Sequence, residues 1–418
     1  MLVFVFVLAF LFQDLALPQE AFGRLGSNAV LFLLPLFLII AYRYNNRRGV
    51  LPFNKNVKQF VVGVFFFIII TTFITLVNLP FLPYVAKGEV LWLKALKLEI
   101  TIGIWPLLIY VSAYLYQKWP RRFMQAIVLL QFLIVIILIV EKFWNPSIFS
   151  QSGFFHLFDN FNMRPRLFTP EASIAGTFFA DISLVGLILP MSRRYKMYLF
   201  VSLILALVLI ESKGTILALI ISICLAYSLK FLRLKAQNRM ALLLVLFVLA
   251  LLIPSVILQI KSDYENYTSA ATRTVFALSS WFAINANPIG QGVSSYLVYQ
   301  NKWLTQSIQV VRDIFPEFSF REVLGNIAQE GDYAIFPKDL PSVLIWMSSF
   351  VGVIAYLALF KLLLSTGMRS EFWGTTAAFF ILVASFTNSF LYQYDAALLL
   401  SVIFIEQAKL NVRSSLRR

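Results

Sequence analysis

The sequence predicts an all-α polytopic integral membrane protein with about 12 transmembrane helices. Of its 418 residues, 60% are hydrophobic and 13% are charged, whereas soluble globular chains have roughly 45–50% and about 25%. The mean hydropathy is +0.81. The apolar residues also form long uninterrupted runs, as membrane-spanning helices require. These observations exclude a cytosolic enzyme, a secreted disulfide scaffold and a disordered chain.

Twelve apolar runs approach the length of about 20 residues that a spanning helix needs. Residues 1–17 lack a basic start and a small-residue cleavage site, so we interpret them as an uncleaved first helix. The whole chain, 1–418, is then one membrane domain. The runs fall near 1–17, 28–42, 59–81, 98–116, 123–140, 173–190, 197–210, 215–229, 241–259, 342–364, 374–391 and 395–408.

The basic residues predict how the chain is oriented. Six short segments, one after every second run, hold 21 of the 35 Lys and Arg residues. Of the 20 acidic residues, only Glu371 lies in these segments and only Glu406 lies close beside one. This is the positive-inside pattern, and it places both termini in the cytoplasm. The net charge of +15 therefore indicates topology and attraction to anionic membrane lipid, not nucleic acid. The segments are 43–58, 117–122, 191–196, 230–239, 361–371 and 409–418.

Two long loops, 141–172 and 260–341, are predicted on the extracytoplasmic side. The large loop 260–341, between the ninth and tenth runs, is too apolar and aromatic for a linker, so we expect short helices in it. Its prolines Pro316, Pro337 and Pro341 would separate them. Because long loops on a rigid scaffold often carry function, we expect the chemistry on this side.

The small number of cysteine and histidine residues limits the kinds of catalytic or metal site that the chain can form. Cys224 is the only cysteine, so no intrachain disulfide can form, and His156 is the only histidine. No His, Cys and Asp cluster has metal-ligand spacing, and we expect no metal and no cofactor, although a magnesium site made of carboxylates alone stays open. We interpret His156 as part of an interfacial amphipathic segment; a catalytic histidine paired with Asp159 is the alternative.

The stretch Arg-Pro-Arg-Leu-Phe-Thr-Pro-Glu-Ala-Ser, residues 164–173, leads into the sixth run. Arg164 and Arg166 carry planar donor forks that match phosphate oxygens. The helix start that follows adds free N–H groups and a positive dipole end. These features predict an anion site at the membrane surface, with a surface Arg–Glu171 pair that caps the helix as the alternative.

Two further charged residues interrupt apolar segments. Asp181 lies ten residues after Glu171, inside the sixth run, where an ionisable group is a functional candidate; alternatively it is hydrogen-bonded in the bundle or paired with Lys213 or Arg273. Lys213 lies in the outer turn Glu-Ser-Lys-Gly, 211–214. It is either a phosphate-binding point charge or part of a solvated turn.

The large loop contains an arginine followed by a glycine turn. Arg273 precedes Asn-Pro-Ile-Gly-Gln-Gly, 287–292, whose glycines permit a tight turn with amides available for an anion. Asn266-Tyr267-Thr268 matches a glycosylation sequon, a pattern that often arises by chance.

These motifs occur in an order that resembles bacterial O-antigen and capsular polysaccharide repeat-unit polymerases, within the O-antigen ligase/polymerase superfamily. The similar segments are 164–173, the Ser-Lys-Gly turn, 287–292, and Pro341-Ser342 running into the next helix, so they cover about 160–365. O-antigen ligases carry a functional histidine at the end of the large loop, whereas 325–341 contains none. This sequence has Pro170-Glu171 where the family often has Glu-Pro. The position of Glu171 therefore does not match that of the family's glutamate, and its role does not carry over directly.

The resemblance implies a metal-independent glycosyltransferase in the bacterial inner membrane, acting on the periplasmic side. Its substrates would be undecaprenyl-diphosphate-linked oligosaccharide repeat units, and a chain-length regulator is a candidate protein partner. We assign diphosphate binding to basic residues of the motifs, of which Arg166 and Arg273 are also placed in the catalytic set. These residues are Arg164, Arg166, Lys213 and Arg273.

The remaining roles concern the acceptor and the sugar. Glu171 is the first choice as general base for the attacking hydroxyl, and Asp181 is the second. Trp303 is assigned to stacking on sugar rings, and an apolar groove between helices would hold the polyprenyl chain. Three alternatives stay open: an O-antigen ligase-like glycosyltransferase, a flippase or transporter of lipid-linked oligosaccharide, and a non-catalytic partner in envelope polysaccharide assembly.

Overall fold

The computed structural model describes residues 1–45, 55–144, 152, 156, 164–231, 268–328, 337–390 and 392–415. Apart from a small hairpin of β1 (Val85–Ala86) and β2 (Glu89–Val90), their regular structure is helical, in agreement with the predicted all-α class. The α-helices are α1 (Leu2–Ala9), α2 (Ala16–Phe22), α3 (Ala29–Asn45), α4 (Lys55–Asn78), α5 (Leu91–Lys118), α6 (Pro120–Ile139), α7 (Ala172–Ile188), α8 (Arg193–Ile210), α9 (Lys213–Phe231), α10 (Thr268–Ala286), α11 (Tyr296–Ile314), α12 (Arg321–Ala328), α13 (Leu340–Ser348), α14 (Phe350–Arg369), α15 (Phe372–Ala384) and α16 (Asp395–Ser415). Two 3₁₀ turns (Gly23–Ser27 and Leu79–Phe81) and a π-helical turn (Val140–Trp144) complete them.

The apolar helices identify a membrane-embedded protein. Within the described ranges, five helices are long and apolar enough to cross a membrane, and three shorter ones are also apolar. Helix α4 shows a lipid-facing surface, since Phe66, Ile69 and Phe73 are each more than 60% exposed. The predicted number of 12 transmembrane helices is not confirmed by these helices. The five are Lys55–Phe81, Leu91–Lys118, Pro120–Trp144, Lys213–Lys230 and Phe350–Arg369.

Two of the predicted spans are divided. In 1–17 the helix ends at Ala9, and the polar pair Gln13 and Asp14 is buried in the connection to α2. In 342–364 the helix is interrupted at Ser349, where φ is 47°. The start of α14 lies so close to the end of α13 that a Cβ on Gly352 would be 2.1 Å from the Leu344 carbonyl oxygen. The run 241–259 and the sequon residues Asn266 and Tyr267 lie outside the described residues.

The segment predicted as a large helical loop contains α10, α11 and α12. Helices α10 and α11 have 19 residues each, so they are longer than the short helices expected. Pro316 follows the end of α11, and Pro341 lies in the first turn of α13. The helices pack through large aromatic side chains: Phe276, Tyr296 and Trp346 are almost fully buried.

The bundle has two apolar cores, and α5 contributes to both. Leu98 and Ile102 in its first half pack into the second core with α10, α11 and α13. Leu108 and Ile109 in its second half belong to the first core, which includes α1, α6, α7 and α16. Pro106 lies inside the helix between these two groups.

Candidate functional site

Two helix N-termini lie side by side at one end of the bundle. Helix α7 begins after Glu171, and α9 begins at Lys213. A Cβ on Gly176 would lie 2.5 Å from both Cβ and Oγ of Ser212, so the Ser212 side chain packs directly against the α7 backbone. The first turns of helices carry unpaired N–H groups and a partial positive charge. This end of the bundle therefore favours an anion.

Hydroxyl groups fix the two N-termini relative to each other. Ser212 Oγ is 2.8 Å from Thr215 Oγ1, which is 3.3 Å from Thr177 Oγ1. Asn388, which follows α15, donates from Nδ2 to Thr177 Oγ1 at 2.9 Å. These residues are all buried. The network joins α7, α9 and the segment after α15, so their spacing is fixed by hydrogen bonds as well as by packing.

Three basic residues surround Glu211, the residue between α8 and α9. Lys142 Nζ lies 2.7 Å from Glu211 Oε1, and Arg164 Nη1 approaches the Glu211 carbonyl oxygen at 3.5 Å. The hydrogen bond from Lys142 and the charges of Lys142, Arg164 and Lys213 lower the pKa of Glu211. We call Glu211 and the three basic residues around it, Lys142, Arg164 and Lys213, the Glu211 cluster. With three cations and one carboxylate, it has a net positive charge. It includes two of the four basic residues predicted to bind diphosphate, Arg164 and Lys213.

Arg166 is turned into the protein and is 2% exposed. Its backbone N–H donates to Glu141 Oε1 at 2.8 Å, and the N–H of Leu167 donates to Oε2 at 2.9 Å. The Glu141 carboxylate, which is 3% exposed, thus holds both amides of this peptide segment. Leu167 has φ 55°, a left-handed conformation that costs a non-glycine residue energy. The positive charge of the guanidinium interacts with the carboxylates of Asp14 and Glu141, not with the Glu211 cluster.

His156 holds the other side of the same turn. Its Nε2 lies 2.9 Å from the Leu167 carbonyl oxygen, and its Nδ1 lies 2.9 Å from Asp14 Oδ2. Nε2 must carry a proton because a carbonyl oxygen only accepts. With both nitrogens engaged and the side chain 1% exposed, the ring does not face substrate. The partner considered above, Asp159, lies outside the described residues.

Three further groups of residues 166–169, the Thr169 N–H and the carbonyl oxygens of Arg166 and Phe168, also have partners. Thr169 donates from its N–H at 3.0 Å and from Oγ1 at 2.7 Å to the Arg166 carbonyl oxygen. The N–H of Gln13 donates to the Phe168 carbonyl oxygen at 3.0 Å. We call residues 166–169 the clamped turn. It lies between Arg164 and Glu171, and so fixes where both side chains begin.

Arg273, on α10, lies in a different electrostatic neighbourhood. Asp339 caps α13 by accepting the Ser342 N–H at 2.8 Å, and Arg273 acts on its carboxylate. Burial raises the pKa of Asp339, and the contacts with Ser342 and the charge of Arg273 oppose this increase. Thus Arg273 stabilises the buried acid at the start of α13.

The predicted glycine turn is present, with φ 89° at Gly290 and 102° at Gly292. Two of its amides already have partners. The N–H of Gly290 donates to Asn287, and the N–H of Val293 donates to Thr75 Oγ1 at 3.0 Å. The turn packs against neighbouring helices, because a Cβ on Gly292 would lie 2.7 Å from the Thr75 Cα. Close backbone approach explains these glycines.

The other predicted site residues are dispersed. Glu171 is exposed at the start of α7, where its carboxylate accepts from Ser173 Oγ at 3.2 Å. Trp303 is 6% exposed, stacked on Tyr299 and edge-on to Trp346, so a sugar could not reach its face without displacing these rings. Asp181 is fully buried and faces Asp395, not Lys213 or Arg273.

Comparison with known proteins gives one informative match. No protein-family profile matches the sequence. The chain is similar to an uncharacterised 49.5 kDa protein of the cps region of Klebsiella pneumoniae, with 28% identity over 195 residues, or 46% of this chain. The matched segment covers 44% of that relative, so the chain spans less than half of its length.

Proposed function

We propose that the protein is an O-antigen- or capsule-type polysaccharide polymerase. It would transfer a glycan from polyprenyl diphosphate to a lipid-linked repeat unit at the extracytoplasmic face of a bacterial inner membrane, with both termini cytoplasmic. The observation that carries the proposal is the Glu211 cluster beside the N-termini of α7 and α9. The similarity to a protein of a cps region is consistent with a capsule-related function.

In this reaction the bond between the anomeric carbon and the diphosphate oxygen breaks. A new bond forms between that carbon and the acceptor hydroxyl oxygen. The diphosphate leaves with the bonding electrons, and its developing charge is stabilised by Arg164, Lys213 and Lys142 together with the helix N–H groups. The hydroxyl proton passes to a base, for which Glu171 is suited because its exposed carboxylate lies beside the first turn of α7.

We revise the roles of the other candidate residues. Arg166 is assigned to the clamped turn, and Arg273 to the start of α13. Asp181 has no exposed surface, so it is left out as a base, and Trp303 is left out as a sugar-stacking ring. A ligase-like enzyme, a flippase and a non-catalytic assembly partner are the competing functions, and elongation of supplied lipid-linked units distinguishes them from a polymerase.

Removing either predicted cation should slow polymerisation. Hydrogen bonds to charged groups contribute about 1.5–3 kcal/mol, so Arg164→Ala and Lys213→Ala should each lower the rate about tenfold to a hundredfold. The measurement is glycan elongation by purified protein in liposomes with undecaprenyl-diphosphate-linked repeat units. Lys302→Ala, which removes an exposed lysine on α11, is the control and should keep the wild-type rate. Full activity of both test variants would refute the anion site.

Removing the carboxylate of the cluster should have the opposite effect on anion binding. Glu211→Gln leaves Lys142 without its charged partner, so inorganic pyrophosphate should bind several-fold more tightly. Pyrophosphate inhibition of elongation measures this affinity, and the difference should diminish at high salt because the cluster is partly exposed. The control is Glu371→Gln, at the start of α15. An unchanged or weaker inhibition would show that pyrophosphate does not bind at the cluster.

A further inference from the structure

Two carboxyl groups face each other inside the bundle. Asp181 lies within α7 and Asp395 is the first residue of α16; they are 0% and 1% exposed. The packing of α7 against α16 brings the two side chains together, and Asp395 Oδ2, like both oxygens of Asp181, is buried without a donor among the described residues. Gln13, which is 4% exposed, donates from Nε2 to Asp395 Oδ1 at 3.5 Å. Among the described residues, no N–H group donates to either oxygen of Asp181.

Such a contact requires a proton. An ionised carboxylate has only acceptors, and two negative charges in a poorly hydrated interior repel strongly. No described Lys, Arg or His acts on the pair: the groups that face it are the two aspartates and Gln13. Nearby, Arg166 and His156 act on Asp14 instead. A proton between the two carboxyls removes the repulsion and supplies the missing donor.

A metal cation fits this position less well. Calcium takes six to eight oxygen ligands and magnesium takes six. Within the described ranges, no group of three or more His, Cys, Asp and Glu side chains is placed to hold a metal. The pair with Gln13 offers two carboxyls and an amide that presents its NH₂ group to Asp395. An amide donor repels a cation, but it supports a carboxylate that already shares a proton.

We propose that Asp181 and Asp395 form a proton-binding site, in which one shared proton joins α7 to α16. This site is independent of the polymerase proposal. Gln13 connects it to the clamped turn, because its side chain binds Asp395 while its N–H binds the Phe168 carbonyl oxygen. Asp181 lies ten residues beyond Glu171, about 15 Å along a helix with a 1.5 Å rise per residue.

Infrared spectroscopy of the purified protein in lipid tests this site directly. The wild type should show a protonated-carboxyl C=O band that shifts in D₂O and on labelling with ¹³C-aspartate. Asp181→Asn and Asp395→Asn should each remove this band and still fold, because the new amide donates to the remaining carboxylate. Glu20→Gln, at an exposed glutamate, is the control and should leave the band unchanged.

Two results would overturn the proposal. One is a wild-type spectrum without an aspartate-dependent protonated-carboxyl band, which needs no variant and so does not depend on folding. The other is a band that persists in both Asn variants. Neither result bears on elongation activity, so the proton site and the polymerase proposal can fail separately.

Discussion

Glu141→Ala should destabilise the protein more than any other single change at the clamped turn. It leaves the N–H groups of Arg166 and Leu167 buried without an acceptor, at about 1–3 kcal/mol each. The left-handed conformation of Leu167 costs a further ~1–3 kcal/mol and would lose the contacts that hold it. We expect a lower thermal unfolding temperature, and weaker pyrophosphate inhibition because Arg164 and the start of α7 are no longer fixed.

Glu141→Gln is the matched variant. Its amide keeps one acceptor oxygen but presents an NH₂ group to the second backbone N–H, so its unfolding temperature should lie between those of the wild type and Glu141→Ala. The order wild type, Gln, Ala is the diagnostic result. Equal stability of the Ala variant and the wild type would mean that the two amides find other acceptors, and that the carboxylate does not hold the turn.

Gly176→Ala should separate the two helix N-termini. The new Cβ would lie 2.5 Å from the Ser212 side chain and 3.1 Å from Thr215 Oγ1, which is closer than packed atoms approach. Overpacking of this kind costs about 1–3 kcal/mol. Because Ser212 and Thr215 fix the start of α9, displacement should also lower the rate of elongation. Both the unfolding temperature and that rate are to be measured.

A second substitution should partly reverse this effect. Gly176→Ala with Ser212→Gly removes the clashing Cβ and Oγ, although it also loses the hydrogen bond to Thr215. Its activity should therefore recover to the level of Ser212→Gly alone. Gly63→Ala on α4 is the control, because a Cβ there meets nothing within 4 Å; it should be neutral or stabilise the helix by up to about 1 kcal/mol. Without recovery in the double variant, the clash is not the cause.

The sequence predicted several features because they depend on local signals. The sixth run, 173–190, agrees with α7 at Ala172–Ile188, since a Pro-Glu start and a continuous apolar run are both visible in the chain. Arg164 and Lys213 both interact with Glu211, whereas the orientation rule predicted only that their two turns lie on the same side of the membrane. The division of 1–17 was not predicted, because hydropathy does not show that Gln13 and Asp14 find buried partners.

The pairings that build the clamped turn depend on the tertiary fold. Asp14 and His156 are 142 positions apart, and Glu141 and Arg166 are 25 positions apart. In the sequence, a single acidic residue at the end of an apolar run indicates that a buried contact exists, but it does not identify the residue on the other side of that contact. Asp181 illustrates this limit: basic partners were considered from the sequence, whereas the packing of α7 against α16 brings it to Asp395.

Pro106 has a mechanical consequence for the bundle. Proline has no N–H, so the Ile102 carbonyl oxygen loses its helical hydrogen bond at the position where α5 passes from the second core to the first. Bending therefore costs less there than elsewhere along the helix. Helix α4 also joins the two cores, through Val57 in the first and Phe67 in the second. A bend at Pro106 would therefore change the angle between the cores only as far as α4 follows it.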